Sequence, residues 1–353
     1  MIGIAGRGIA ALACAQRLAD AGIPVCVDGP RRRGGPIVLL GAQTLGLLAD
    51  VFHHAAIRYV GYPVSVREVH WRHTAPASVA VPSRAIPLDT LTAFLETRVA
   101  ASIRFRDGTP PDEDQPFHWR LDATGRRASV ARKIAGAAST SFGARHILAA
   151  VVSLDPPWRH STVIECLDDG WLFLCPTDSD CGVLQLMWPG LPHDPRLTVQ
   201  DALDRSTHVA RCVDVKSLRD IVCFPAAPRI LTPLGSDRWL AVGETAFSVD
   251  PLCGDGVGSA VYSAMLASAL ISSASDHKDM SALLRHYHLR HRRSFAMHLK
   301  HVYDYYQPFL YHAAWASELE KTRQFLHSET AMKLFHTTSF THQLRGLRLE
   351  PMA

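Results

Sequence analysis

The chain has 353 residues and a net charge of +4, from 37 Lys and Arg against 33 Asp and Glu. That length holds a large core, expected as two interleaved domains, and the mild charge, with no basic run beyond Arg31-Arg32-Arg33, gives no support for a nucleic-acid partner. Eight scattered cysteines without a C-x-x-C pair read as reduced, mostly buried thiols of a cytoplasmic protein, and the longest apolar helix candidate, 257–271, is too short to span a bilayer.

The chain opens on an apolar strand, 2–5, followed by Gly6-Arg7-Gly8-Ile9-Ala10-Ala11, which fits the G-x-G-x-x-G/A turn of a dinucleotide-binding unit. Residues of helical period follow, Gly22 breaks them, and a second strand, 25–27, ends at Asp28. That acid lies 22 residues after Gly6, where a ribose-binding carboxylate belongs. The glycines permit a tight turn and a close pyrophosphate, and the helix start at Ile9, Ala10 and Ala11 stabilises its charge. A signal-peptide reading of Ala13-Cys14-Ala15 fails because the start is not basic. Arg33 is a candidate for the same pyrophosphate, with a solvated loop as the other reading.

Further along, the pattern predicts a helix over 42–52, alternating strands over 58–82, a helix over 88–101 and a strand over 118–123. That strand runs into Asp122-Ala123-Thr124-Gly125. Residues 145–190 are strand-rich, broken by Asp168-Asp169-Gly170 and Asp178-Ser179-Asp180, and 197–212 reads as helix. A short apolar strand, 239–242, ends at Gly243. The loop after it holds Glu244, Pro251, Gly254, Asp255, Gly256 and Val257, then a helix with Ala260, Ala264, Ala267 and Ala269. A carboxylate there suits sugar or ribityl hydroxyls, and bare glycine backbone at a helix start suits an anion or a ring carbonyl. Residues 280–330 read as helical, with Tyr303, Tyr305, Tyr306 and Tyr311 in the middle, candidates for a substrate surface though such spacing is more often core. His286, His288 and His291 include no i, i+4 pair, so a solvated face is expected and no metal. Cys253 reads as a packing cysteine.

The nucleotide-type stretches at 1–50, 85–130 and 235–270 are far apart, with strand-rich segments between them. This predicts an α/β architecture of two domains woven together. The three landmarks, GRGIAA at 6–11, DATG at 122–125 and GETAFSVDPLCGDGVG at 243–258, occur in order. Together they resemble the FAD-dependent monooxygenases of the para-hydroxybenzoate hydroxylase fold, a superfamily that includes flavin-dependent halogenases and geranylgeranyl reductases. The resemblance covers about 1–275. It implies bound FAD in a Rossmann-like domain formed by 1–57, 83–144 and 226–275, interleaved with a β-sheet substrate domain, 58–82 and 145–225, and followed by C-terminal helices over 276–353. Gly6, Gly8 and Ala11 would shape the pyrophosphate turn, Asp28 would bind the adenosine ribose, and Ala123, Thr124 and Gly125 would lie beside the adenine half. Gly243 and Glu244, where the family usually has Asp, would serve the ribityl and pyrophosphate region; Pro251 and Gly254 to Val257 would lie against the isoalloxazine.

Within the superfamily, DDGWLFLCP at 168–176 and the phrase VDPLCGDGV resemble halogenases and, more closely, the flavoproteins that mature tryptophylquinone cofactors by hydroxylating a tryptophan of a partner protein. Trp171, Phe173, Cys175 and Pro176 match the halogenase W-x-W-x-I-P motif only in part, and no lysine precedes Lys133, where halogenases need one in the N-terminal half. The resemblance therefore implies a monooxygenase hydroxylating an aromatic substrate, such as a tryptophan of a quinone-cofactor oxidase precursor. The alternatives are a small-molecule hydroxylase, an isoprenoid reductase and a non-catalytic FAD-binding chaperone. No side chain is assigned a catalytic role, since flavin hydroxylation asks the protein chiefly to exclude water and place the substrate. There is no second G-x-G-x-x-G, so no separate NAD(P)H domain is expected. A protein substrate calls for an open cleft framed by 145–225 and the C-terminal helices.

Overall fold

The computed structural model describes residues 1–31, 34–72, 74–108, 117–274, 279–337 and 339–352. Its first sheet has six strands in the order Gly235–Ser236, Trp239–Ala241, Trp119–Asp122, Ile2–Ala5, Val25–Asp28, Arg104–Arg106. The last five run parallel, and the first makes a hairpin with its neighbour. The strands Ile2–Ala5, Val25–Asp28 and Trp239–Ala241 are wholly buried, in keeping with their apolar runs. The register sets Ala5 opposite both Asp28 and Asp122, and Ala241 opposite Asp122. The carboxyl ends therefore align, and the loops that follow gather along one edge, where parallel sheets place ligands.

Helix Ile9–Asp20 packs on helix Gly256–Ala274, with the Cys14 thiol donating to Ala264 O at 3.5 Å. The second helix is longer than the sequence suggested. At 19 residues it is long and apolar enough to cross a membrane by those measures alone, but 72% of it is buried inside the protein. Its buried Ser268 is satisfied within its own turn, donating to Ala264 O at 2.7 Å, so the serines do not break it.

The second sheet has eight strands, including Tyr62–His70, Ala77–Pro87, His146–Leu154, Ser161–Cys166, Trp171–Pro176, Cys181–Trp188 and Val213–Pro225. Its edge strand is Ile37–Gly41, which the sequence placed within the first dinucleotide-binding segment; it pairs instead with Ala77–Pro87, Leu39 opposite Ala85. One face packs under helix Pro195–Arg205. That helix stops short of the expected 212 because Ser206 leaves it to serve the buried Glu165. Glu165 accepts from the Ser206 hydroxyl at 2.5 Å and from Thr207 and Val209 N–H at 2.8 Å each. Helix Leu88–Glu96 likewise ends before 101, closed by Thr97 N–H on Ala93 O.

The opposite face carries Ile147, Ala149, Trp171 and Met187, and the C-terminal helices Met280–Tyr306 and Ala313–Leu326 cover part of it with Tyr306, Trp315 and Leu319. His286 and His291 are each 3% exposed, not a solvated face as the spacing suggested. They point inward because their turn of helix Met280–Tyr306 lies on Gly256–Ala274 and the hairpin His342–Arg345/Arg348–Pro351.

Candidate functional site

Gly6 has φ +107°, and a Cβ there would overlap Ala123 O. Its N–H donates to Asp28 O at 2.7 Å, while Ala123 N–H donates to Ala5 O at 2.8 Å. Gly6 is thus demanded by packing of the turn onto two strand ends. Gly8 is demanded by something else: its φ is an ordinary −91°, and a Cβ would meet nothing within 4 Å. It N-caps helix Ile9–Asp20 with no side-chain cap and no acid in the first turn. The helix start offers free N–H groups beside open space, the setting of a phosphate site. Ile9 and Ala11 face the core, whereas Ala10 faces Gly243, whose Cβ would come within 2.6 Å of it.

Asp28 lies at the expected strand end, but its buried carboxylate is taken by Arg106, from Nε to Oδ1 and from Nη2 to Oδ2 at 2.7 Å. Any sugar hydroxyl bound there shares the acid with that guanidinium. Arg7, within the glycine turn, is also engaged, donating to Glu96 at 3.0 and 2.6 Å and to Asp107. Against the cost of burial, Arg7 and Arg31 hold the Glu96 carboxyl below its usual range. Arg33 lies outside the described residues.

Ala123, Thr124 and Gly125 sit against this turn, held by the acid of the same DATG segment. Asp122 is 1% exposed and accepts from Thr124 N–H at 2.9 Å, Thr124 Oγ1 at 2.6 Å and Ala131 N–H at 2.7 Å. Gly125 (φ +70°) lies beside Glu244, whose Oε2 would be 3.7 Å from a Cβ there. Two missed residues fix this junction. Arg229 Nη2 donates to Glu244 O at 2.7 Å and Gly125 O at 3.3 Å, and Arg126 Nη2 to Ala227 O at 2.9 Å. Burial, then the like charge of Arg126, pushes Arg229 down to about 10. The Glu244 side chain itself is exposed and free to accept from a ligand hydroxyl. Behind it, Gly243 N–H donates to Ser263 Oγ (3.0 Å), Ser263 to His291 Nε2 (2.9 Å), and His291 Nδ1 to Tyr287 O (2.9 Å). Burial depresses His291 to about 4, so it is the neutral acceptor this chain requires.

The loop before helix Gly256–Ala274 completes the edge. Asp250 caps the short turn Pro251–Cys253, accepting from Leu252 N–H at 2.9 Å. Gly254 has φ +64° and bare space where a Cβ would stand. Asp255 accepts from Thr44 Oγ1 at 3.3 Å and presses on Gly258, where any Cβ would overlap it; Val257 is buried. Cys253 is exposed rather than packed. A small cleft is bounded by Glu244, Val249 and Gly256, and a larger one of about 310 Å³, which shares Phe247 and Ser259 with it, is lined by Gln43, Thr44, Asp255, Tyr262 and Arg290 among others. Leu252 packs into the cluster on the second sheet's face, with Phe173, Ile164, Val183 and Tyr303. Of the sequence-marked motif there, Trp171, Cys175 and Pro176 are buried and Phe173 is half-buried. Among the described residues no group of three His, Cys, Asp or Glu side chains could hold a metal.

No protein-family model matches the chain, and no curated protein matches it by sequence. Solved structures match it throughout. The myxobacterial chondrochloren halogenase CndH superposes with a TM-score of 0.75 at 14% identity, covering 99% of each chain. The flavin-dependent brominase Bmp2 gives 0.73 at 15%, covering 96% of this chain and 94% of that one. The peptidyl tryptophan dihydroxylase QhpG, essential for tryptophylquinone cofactor biogenesis, gives 0.67 at 19%, covering 99% of this chain and 86% of that one. The chain has the fold of these flavin-dependent halogenases and hydroxylases.

Proposed function

We propose that the protein binds FAD along the aligned strand ends and acts as a monooxygenase-type oxidoreductase on an aromatic substrate, a tryptophan held in a partner polypeptide such as a quinone-cofactor oxidase precursor. The observation that carries this reading is one continuous edge. The open helix start at Gly8, the free carboxylate of Glu244 and the bare backbone of Gly254 follow one another along it, and the last adjoins an apolar sheet face. The helix start at Ile9 stabilises a pyrophosphate, Glu244 accepts from ribityl hydroxyls, and the loop at Gly254 to Val257 presents N–H groups to a ring carbonyl. When bound, reduced flavin supplies the oxygen chemistry. The half-buried Phe173, Ile164 and Val183 keep water from the reacting face.

A large substrate is favoured by the rim of that face. Tyr305 and Tyr311 are 55% and 62% exposed. Trp71 lies edge-on to Tyr305 and Phe309, and Arg72 joins Tyr311 to Asp168. Such a contiguous aromatic rim suits a polypeptide. Heat release and chromatography of the purified protein should yield FAD, and FMN or no flavin refutes the cofactor. Mass spectrometry of a co-expressed oxidase precursor should show added oxygen on tryptophan. Oxygen found only on small aromatics moves the reading to a small-molecule hydroxylase.

A further inference from the structure

Outside the glycine-lined edge, the densest polar construction is a wholly buried cluster that joins three parts of the molecule. Arg145, fully buried at the start of the strand His146–Leu154, donates from Nε to Asp250 Oδ2 at 2.7 Å. Its Nη1 donates to Glu318 Oε1 at 2.9 Å and to Phe142 O at 3.1 Å. Glu318, on helix Ala313–Leu326, also accepts from the N–H groups of Ala144 at 2.7 Å and Arg145 at 3.0 Å. Gly143 makes this wrap possible, with φ +103° and no room for a Cβ beside the Glu318 carboxylate. Asp250 is gripped from its backbone as well, its N–H donating to His298 Nε2 at 2.7 Å. Tyr306 accepts from Trp171 Nε1 at 2.9 Å and lies 5.3 Å from the guanidinium. Burial depresses His298 to about 4, which keeps Nε2 an acceptor. Burial alone would lower Arg145, but the neighbouring Asp250 and Glu318 more than offset it, so the guanidinium stays charged.

A buried ion pair rarely stabilises a fold more than apolar residues of the same volume would. This one ends on the loop that the reading above lays against the flavin, and Arg145 Nη2 has no partner. We propose that Arg145 is a positioning residue. With His298 it fixes Asp250, and so the backbone of the flavin loop, and it cancels the Asp250 charge next to the ring. The first half stands without flavin; the second rests on the FAD reading.

The test compares full-length wild type with Arg145→Met, Arg145→Lys and Asp250→Asn at pH 8. In flavin-free protein, Arg145→Met should raise amide exchange of 252–256 on the order of tenfold, with the strands Ile2–Ala5 and Trp119–Asp122 changed by less than about twofold. In flavin-loaded protein, Arg145→Met should lower the flavin midpoint potential, because an unpaired anion disfavours added electrons. Asp250→Asn should raise it, and Arg145→Lys should return it toward wild type. Opposite signs distinguish a charge effect from simple loss of stability. Exchange rising equally in loop and central strands, or unchanged in both, overturns the positioning role; potentials moving the same way in Met and Asn variants overturn the charge role. Should Arg145→Met fail to fold, His298→Gln must still loosen the loop selectively, and an unchanged loop overturns the proposal. A wild type without flavin defeats the FAD reading alone, leaving the exchange result to decide on the loop.

Discussion

Gly6 and Gly8 stand two positions apart and are glycine for different physical reasons. Gly6→Ala forces a Cβ into Ala123 O at a positive φ and should cost about 3 kcal/mol or more, read as a lower urea midpoint. Gly8→Leu places its Cβ where no protein atom lies within 4 Å. It should leave the flavin-free melting temperature near wild type while weakening FAD at least roughly a hundredfold in a fluorescence titration. Equal loss of stability in both would place Gly8 in the fold and not at the cofactor. Glu244→Ala should weaken FAD about tenfold, as expected for loss of a charged acceptor at an exposed site, with Glu244→Asp retaining most of the affinity. Unchanged affinity in Glu244→Ala removes the ribityl contact. Asp28 is a subtler case. The period and spacing marked it, yet nothing local announces that Arg106, 78 positions on, occupies the carboxylate.

The helix Met280–Tyr306 gives the protein a pH dependence. It carries His286, His291 and His298, each lowered by burial to about 4. The unfolded chain protonates these imidazoles near their ordinary value of about 6.5, and the folded protein resists until about 4. Stability is therefore whole above about 6.5 and declines as pH falls, by up to about 1.4 kcal/mol per unit for each group. Urea midpoints at pH 7.5, 6 and 4.5 should fall in order, and His291→Gln should flatten the slope; midpoints flat across that range would remove these histidines as the cause. The burial was not legible, because the packing partners of this helix lie in a hairpin beyond residue 340 and in Gly256–Ala274. Local sterics were legible. The strand–glycine–helix start, the turn after Asp122 and the loop 243–258 follow from short-range rules, and the structure brings them together. The strand Ile37–Gly41 was not, since its partner is chosen by the distant Ala77–Pro87. Arg145 gave no signal at all: its meaning arises only when Asp250, 105 positions away, meets it.

Taken as a whole, the chain shares its fold with a brominase and another halogenase as well as a tryptophan dihydroxylase, so fold alone does not choose between the two chemistries. Composition does. No lysine occurs in residues 1–132, and the segment aligned with the halogenase motif reads Trp171, Phe173, Cys175, Pro176. Incubation with reduced flavin and chloride or bromide should give no halogenated indole by mass spectrometry; a brominated product would reverse this reading. The same interleaving also has a consequence during synthesis. Helix Ile9–Asp20 takes its cover from Gly256–Ala274, and Trp119–Asp122 waits for Trp239–Ala241. At about 5–20 residues per second, a ribosome finishes that cover roughly 10–50 s after the first helix is made. Through that interval Cys14, fully buried in the finished protein, waits for Ala264, the carbonyl its thiol meets. The two ends of the glycine-lined edge, Gly8 and Gly254, therefore exist together only once synthesis has passed residue 254.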